Sequence, residues 1–272
     1  MNWKKAVRNV PLLIGASLFT VLFVLFAIGL VYTPYSTEAM NTAMRLHQPN
    51  AAHWFGTDNF GRDLLSRIME GAQTAFYVGS LSVVIGIAGG LVVGSLAGYF
   101  GGWLDEIIMR VMDGVMAFPG ILFALMLVTV FGPGVNNTIL ALGLMSIPGF
   151  TRIIRSGVIQ YKEFEFVKAA KVRGAGSLRI IASHILPNMI SPLVVAAALA
   201  GAGSVLAEAG LSYLGLGVQP PLASWGRMLN EAQPYVLSAP WYTISTGCFI
   251  TAMVLSLNFI ADGLRDAADK RK

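Results

Sequence analysis

Residues 12–32 contain no charged side chain. A helix needs about 20 residues to cross a hydrocarbon layer of roughly 30 Å, so this run is long enough to span one. Five more apolar stretches follow, near residues 76–98, 107–131, 138–159, 187–207 and 241–260. In lipid every backbone N–H and C=O must be satisfied within the protein, which a helix does segment by segment. The ten-residue alternation of a membrane barrel is absent. Only 12% of the 272 residues are charged and 55% are hydrophobic, against roughly 25% and 45–50% in soluble domains. These proportions exclude a soluble enzyme and a disordered chain. The single cysteine, Cys248, excludes a disulfide scaffold and a cysteine-built metal site. The expected fold is all-α and integral to the membrane, with six transmembrane helices.

Lys4, Lys5 and Arg8 precede the first span and place the N-terminus in the cytoplasm. Six spans return the C-terminus, with Arg265, Lys270, Arg271 and Lys272, to the same side. Arg110 and the seven cations between about 150 and 186 also fall inside, so 15 of the 19 Lys and Arg are cytoplasmic. Arg45, Arg62, Arg67 and Arg227 remain outside. The net charge of +5 therefore reports orientation rather than a nucleic-acid footprint. The first apolar run exceeds the usual signal-peptide core and lacks a small-x-small site before Thr33-Pro34, so it reads as an uncleaved anchor. Residues 1–75 then form an anchor helix with an outer segment, and 76–272 a five-helix core.

Within the outer segment, Asp58 or Asn59 is expected to cap a short amphipathic interfacial helix with Leu64, Leu65, Ile68 and Met69 on its apolar face. His47 and His53 have no carboxylate or cysteine pattern around them and read as interfacial polar residues. Gly86, Gly90, Gly94 and Gly98 recur every four residues, which suits close helix packing in lipid; a pore lined by bare backbone is the alternative. Pro119-Gly120 and Pro148-Gly149 are expected to break the third and fourth spans. In the cytoplasmic loop of about 160–186, residues 163–173 have helical composition, and Gly174-Ala175-Gly176 stops that helix. Ser177 is expected to cap the next one, and Pro187 to open the fifth span. Phe164, Phe166 and Val167 on such a loop need a partner to cover them. The loop therefore reads as a docking surface.

The chain has no G-x-x-x-x-G-K-[ST] phosphate loop, no H-E-x-x-H helix and no G-x-S-x-G elbow. No catalytic, cofactor-binding or metal site is expected. Intramembrane acids are functional candidates by default, but Asp113, Glu208 and Asp262 fall near the ends of spans. Glu208, with Ser204 and Asn258, is the expected pathway set.

The stretch Phe166-Val167-Lys168-Ala169-Ala170-Lys171-Val172-Arg173-Gly174, followed by His184-Ile185-Leu186-Pro187, resembles the EAA loop of bacterial ABC-importer membrane subunits. That pattern reads E-A-A, three residues, G, nine residues, I-x-L-P. Ala169, Ala170, Gly174, Leu186 and Pro187 match it, while Lys168 replaces the glutamate and His184 the isoleucine. Gly56-Thr57-Asp58 with Gly61-Arg62-Asp63, Gly98-Tyr-Phe-Gly-Gly102, Leu214-Gly-Leu-Gly-Val-Gln219-Pro-Pro221 with Ser224-Trp225-Gly226, and Asp262-Gly-Leu-Arg265-Asp266 extend the resemblance over nearly the whole chain. They are similar to the C-type permeases of dipeptide, oligopeptide and nickel importers.

The resemblance implies a type I ABC importer permease in the bacterial inner membrane, which forms the pathway with a second homologous permease. It also implies two cytoplasmic ATPase subunits that bind ATP and Mg, and an extracytoplasmic solute-binding protein. Phe166, Val167, Lys168, Ala169, Ala170, Arg173, Gly174, Leu186 and Pro187 would form the ATPase-coupling loop. Asp58, Arg62, Asp63, Tyr213, Gln219 and Trp225 would form the external gate or binding-protein contact. Di- or oligopeptides are the expected cargo; nickel or a metal chelate is the alternative, and an integral-membrane enzyme the more distant one.

Overall fold

The computed structural model describes residues 9–268; Lys4, Lys5, Arg8, Lys270, Arg271 and Lys272, counted above toward the inside charge, lie outside them. Five helices are long and apolar enough to cross a membrane. They are α1 (Val10–Gly29), α2 (Leu64–Phe100), α5 (Val135–Lys162), α7 (Ser177–Tyr213) and α9 (Pro240–Ala268). Between them lie α3 (Gly102–Met116), α4 (Gly120–Phe131), α6 (Glu165–Val172) and α8 (Trp225–Ala232).

The third expected span is not one helix. The helices α3 and α4 meet at 88°, and α4 with 12 residues is only about 18 Å long. Together they make at most one broken span, the sixth. The break follows from Pro119, which lacks an N–H and disfavours helical backbone in the residue before it. Pro148 behaves differently: α5 runs through it without interruption. There the expected break is absent, and neighbours pack on that turn so that Pro148 and Phe150 are buried.

Those neighbours belong to α2, and the glycine stripe explains the fit. Gly86 lies against Ser146 and Phe150, Gly90 against Phe150 and Thr151, Gly94 against Thr151 and Ile154, and Gly98 against Arg155 and Val158. A Cβ on Gly94 would sit 2.7 Å from the Thr151 carbonyl oxygen, and one on Gly98 2.8 Å from that of Arg155. The stripe is a helix–helix seam rather than a pore lining, as small residues permit in lipid.

At its outer end α2 begins at Leu64, capped by Asp63, whose carboxylate accepts from the Ser66 N–H at 2.8 Å. The separate interfacial helix expected here is the first turn of α2, and the boundary drawn at residue 75 falls inside this helix. Leu64, Ile68 and Met69 are buried rather than turned to lipid. With 37 residues α2 is about 55 Å long, well beyond the hydrocarbon thickness. Its first turns therefore stand above the membrane and carry the outer segment.

The fifth span starts earlier than Pro187. Helical backbone begins at Ser177, passes through a π turn at Ile181–Ile185 and a 3₁₀ turn at Leu186–Met189, and continues from Ile190. The missing N–H of Pro187 disturbs the ladder locally, and the Asn188 side-chain amide donates to the His184 carbonyl at 2.7 Å. Gly176, not Ser177, is the N-cap, and it provides no side-chain bond.

The seam yields a direct expectation. Gly94→Val forces its side chain against the Thr151 backbone and should destabilise the detergent-solubilised protein by about 1–3 kcal/mol, the usual range for overpacking. Gly149→Ala, where a Cβ meets nothing within 4 Å, should leave the thermal midpoint nearly unchanged. Equal midpoints for the two variants would remove the seam as a determinant of the fold.

Candidate functional site

The bundle has two chemically distinct ends. At the outer end the loop Thr57–Asp63 folds back so that Asp58 sits fully buried. Its Oδ1 accepts from the backbone N–H groups of Phe60 (2.8 Å) and Arg62 (2.9 Å). Its Oδ2 accepts from Arg62 Nε and Arg67 Nη1, both at 2.6 Å. Arg67 Nη1 also donates to Glu231 Oε2 of α8 at 2.8 Å, and Arg62 Nη2 donates to the same oxygen at 3.1 Å. Arg227 Nε and Tyr242 OH complete the coordination of Glu231 at 3.1 and 3.2 Å. Charge-assisted bonds of this kind satisfy buried ions that would otherwise be costly.

Burial is the strongest influence on the Glu231 carboxyl and raises its pKa. The charges of Arg67, Arg62 and Arg227, with the Arg67 hydrogen bond, outweigh it and hold the group below the ordinary carboxylate value.

Three of the four outside arginines are thus consumed in the fold, and the fourth, Arg45, donates to the Tyr235 hydroxyl at 2.8 Å. Of the residues expected at the external face, Asp58, Arg62, Asp63 and Trp225 are buried. Asp63 caps α2 and pairs with His53 Nδ1 at 2.8 Å. The Trp225 indole N–H donates to the Ile68 carbonyl at 3.0 Å, seating α8 on α2. Tyr213 is exposed and Gln219 half-buried, the latter's amide turned to the Gly215 and Gly217 carbonyls. Glu231 and Tyr242 were not singled out from sequence; the i,i+4 spacing of Arg227 and Glu231 on α8 was the available signal.

The expected pathway residues are each engaged locally or buried. Glu208 is buried and accepts from Ser212 Oγ at 2.6 Å, and that hydroxyl accepts in turn from the Val218 N–H at 2.9 Å. Glu208 therefore secures the turn after α7. Ser204 is buried with no hydrogen-bond partner, and Asn258 donates to the Val254 carbonyl of its own helix. Among the described residues no group of three His, Cys, Asp or Glu side chains gathers to hold a metal.

At the opposite end α6 projects between α5 and α7. It closes in a Schellman turn: the Ala175 N–H donates to the Ala170 carbonyl at 3.1 Å and the Gly174 N–H to the Lys171 carbonyl at 3.0 Å. Gly174 has φ +82°, a left-handed conformation natural to glycine. Val167 and Ala170 are buried, Val167 against the cluster of Ile154, Val158, Ile180 and Ile185. Of the three apolar residues expected to face a partner, Val167 instead turns into the bundle. Phe164 and Phe166 stay 42% exposed, edge to face at 5.9 Å. They are joined by Val172 and Leu178, which are 89% and 80% exposed and did not stand out in sequence.

Lys168 is held near Glu165 (3.5 Å) and Glu163 (3.8 Å). Ala169 and Arg173 are exposed, Leu186 is half-buried and Pro187 exposed. Phe166, Ala170, Arg173, Gly174, Arg179 and His184 line an open cleft of about 380 Å³.

A polytopic helical bundle with an ion-locked outer cap and an uncovered apolar knuckle at the other end is a multi-pass membrane protein with a surface left for a partner. Residues 90–272 match the family described as binding-protein-dependent transport system inner membrane component. The chain is 39% identical over 269 residues to the dipeptide transport system permease protein DppC of Alkalihalophilus pseudofirmus, covering 99% of this chain and 88% of that protein. It is 39% identical over 271 residues to the glutathione transport system permease protein GsiD of Pectobacterium atrosepticum, covering 99% and 90%. Its fold is similar to a chain of the MetNI methionine ABC transporter in inward-facing conformations, with TM-score 0.57 at 18% identity over 76% of this chain and 97% of that one. The chain belongs to the binding-protein-dependent transport system inner membrane component family: it is a multi-pass permease of the bacterial inner membrane.

The outer ion cluster sets a testable requirement. Arg67→Met leaves Asp58 and Glu231 buried with reduced compensation and should cost about 3–5 kcal/mol, read as a lowered thermal midpoint. Because the Glu231 pKa is depressed in the folded state, its contribution is present above the ordinary carboxylate pKa of about 4.3 and disappears as pH falls through the folded value. Glu231→Gln should lower the midpoint at pH 7 and flatten the decline on acidification. An unchanged midpoint in both variants would show the cluster to be dispensable.

Proposed function

We propose that this chain is the half of an ATP-driven importer that carries small peptides, and that the Phe164–Leu178 surface receives the motion of cytoplasmic ATPase subunits. Support for the cargo is the near-full-length similarity to permeases named for dipeptide and glutathione transport. One geometric observation carries the docking role. The knuckle α6 is rigidly seated on the bundle through Val167 and closed by Gly174, yet it leaves Phe164, Phe166, Val172 and Leu178 uncovered. Exposed apolar groups outside the lipid call for a protein partner.

The partners in this reading are a second homologous permease, two cytoplasmic ATPases that hold ATP and Mg, and an extracytoplasmic solute-binding protein. ATP-driven closure of the ATPases would push α6. Because only Glu163 and Phe164 separate α6 from α5, the push would pass to the bundle and alternate its opening. Of the residues expected at the outer face, Tyr213 and those around Gln219 remain available to the binding protein.

Gly174→Trp combines a strained left-handed backbone with a bulky side chain at the knuckle, and Ala170→Asp places a charge at a buried position beside the cleft. Either variant, in membranes containing the complete transporter, should keep normal permease levels while ATP-dependent dipeptide uptake falls at least tenfold. Wild-type uptake in both variants would refute the coupling role. Uptake of nickel or a metal chelate in place of dipeptide by the unmodified transporter would refute the cargo.

A further inference from the structure

We infer that Asp105 and Asp113 of α3, paired with Arg155 and Arg152 of α5, form an ionic hinge that makes the α3–α4 elbow follow the cytoplasmic knuckle; this rests on the docking role proposed for α6. Arg155 engages Asp105 through two bonds, Nε to Oδ1 at 2.5 Å and Nη2 to Oδ2 at 2.6 Å. Arg152 Nη2 reaches Asp113 Oδ1 at 2.6 Å.

What singles these pairs out is the lack of any other strong hold on α3. None of its side chains is buried. Its apolar stripe of Trp103, Ile107 and Val111 is exposed, Trp103 by 74%. Asp105 and Asp113 stand eight residues apart, about 12 Å along the helix, while their partners stand three apart, about 4.5 Å. Two anchors so spaced fix the orientation of α3 across α5 as well as its position. The Arg152–Asp113 pair is about half exposed and adds little to global stability, so fold maintenance does not explain it; the bidentate Arg155–Asp105 pair is partly buried. Together they form a contact that can transmit rotation.

The elbow touches α5 twice. Its inner arm is held by the ion pairs, while its outer arm buries Ala124 and Val128 against Ile139, Ala141 and Leu142. Arg155 also lies on the seam with Gly98, one turn of helix before Val158, which packs with Val167 of the knuckle. A displacement of α6 therefore meets the arginines before it reaches the outer half of α5.

The test uses the complete transporter in proteoliposomes, with dipeptide uptake and ATP hydrolysis measured together. Arg155→Ala should reduce uptake per ATP hydrolysed at least tenfold with the complex intact, and the exchanged pair Asp105→Arg with Arg155→Asp should restore it to within threefold of the parent. Should Arg155→Ala fail to assemble, the more exposed pair decides: Asp113→Asn with Arg152→Gln should lower uptake per ATP at least threefold. An unchanged ratio in the variant that assembles, or an exchanged pair as defective as Arg155→Ala in an intact complex, overturns the hinge. Gly174→Trp separates the two readings. If it uncouples while the ion-pair variants transport normally, only the hinge fails; if it transports normally, the docking role fails first.

Discussion

Arg67 is the residue on which the outer half of the molecule depends. Its guanidinium, nearly inaccessible to solvent, is shared between Asp58 of the outer loop and Glu231 of α8, and Glu231 also holds Tyr242 of α9. One cation thereby joins the outer loop, the start of α2, α8 and α9. The cluster works because Asp58, Arg62, Arg67 and Glu231 each make at least two hydrogen bonds, the condition under which buried ions are tolerated. Trp225, seated on the Ile68 carbonyl, and Asp63, capping α2, extend the same rigid cap.

Below that cap the bundle is held by a different force. In lipid there is no hydrophobic gain from bringing two helices together, so close backbone approach and van der Waals contact have to suffice. The glycine seam of α2 supplies them along α5, and α1 packs on α9 with Gly15 against Phe259 and Ser256. Packing weakens toward α3, which no buried side chain anchors. The molecule thus grades from an ion-locked outer cap, through a tightly packed middle, to a cytoplasmic knuckle and an elbow held by two ion pairs. That gradient suits a subunit proposed to receive force at one end.

Much of this was legible in the sequence, because the membrane imposes simple rules. Apolar length located the spans, the four-residue glycine period located the seam, and Gly174 located the end of the knuckle. The failures share a cause: each depended on contacts far apart in the chain. Pro119 and Pro148 look alike in sequence, yet one breaks a helix and the other does not; the second lies in the stretch of α5 packed on the glycine seam of α2. Arg62 and Asp58 read as surface charges because Glu231 lies more than 160 residues away. Val167 was grouped with Phe164 and Phe166 by composition, whereas the helical turn points it into the bundle. Polarity within a span does not tell a lining residue from one that secures a turn, as Glu208 does through Ser212.

The central proposal is that the cytoplasmic knuckle meets an ATPase while the opposite end does not. A photo-reactive side chain placed at Val172, 89% exposed beside Gly174, and in a separate variant at Leu237, 98% exposed beyond α8, tests it in intact cells. A cross-link is expected from position 172 to a nucleotide-binding ATPase subunit and none to that subunit from position 237. Capture of the ATPase from position 237, or its absence at position 172 in a transporter that remains active, would contradict it.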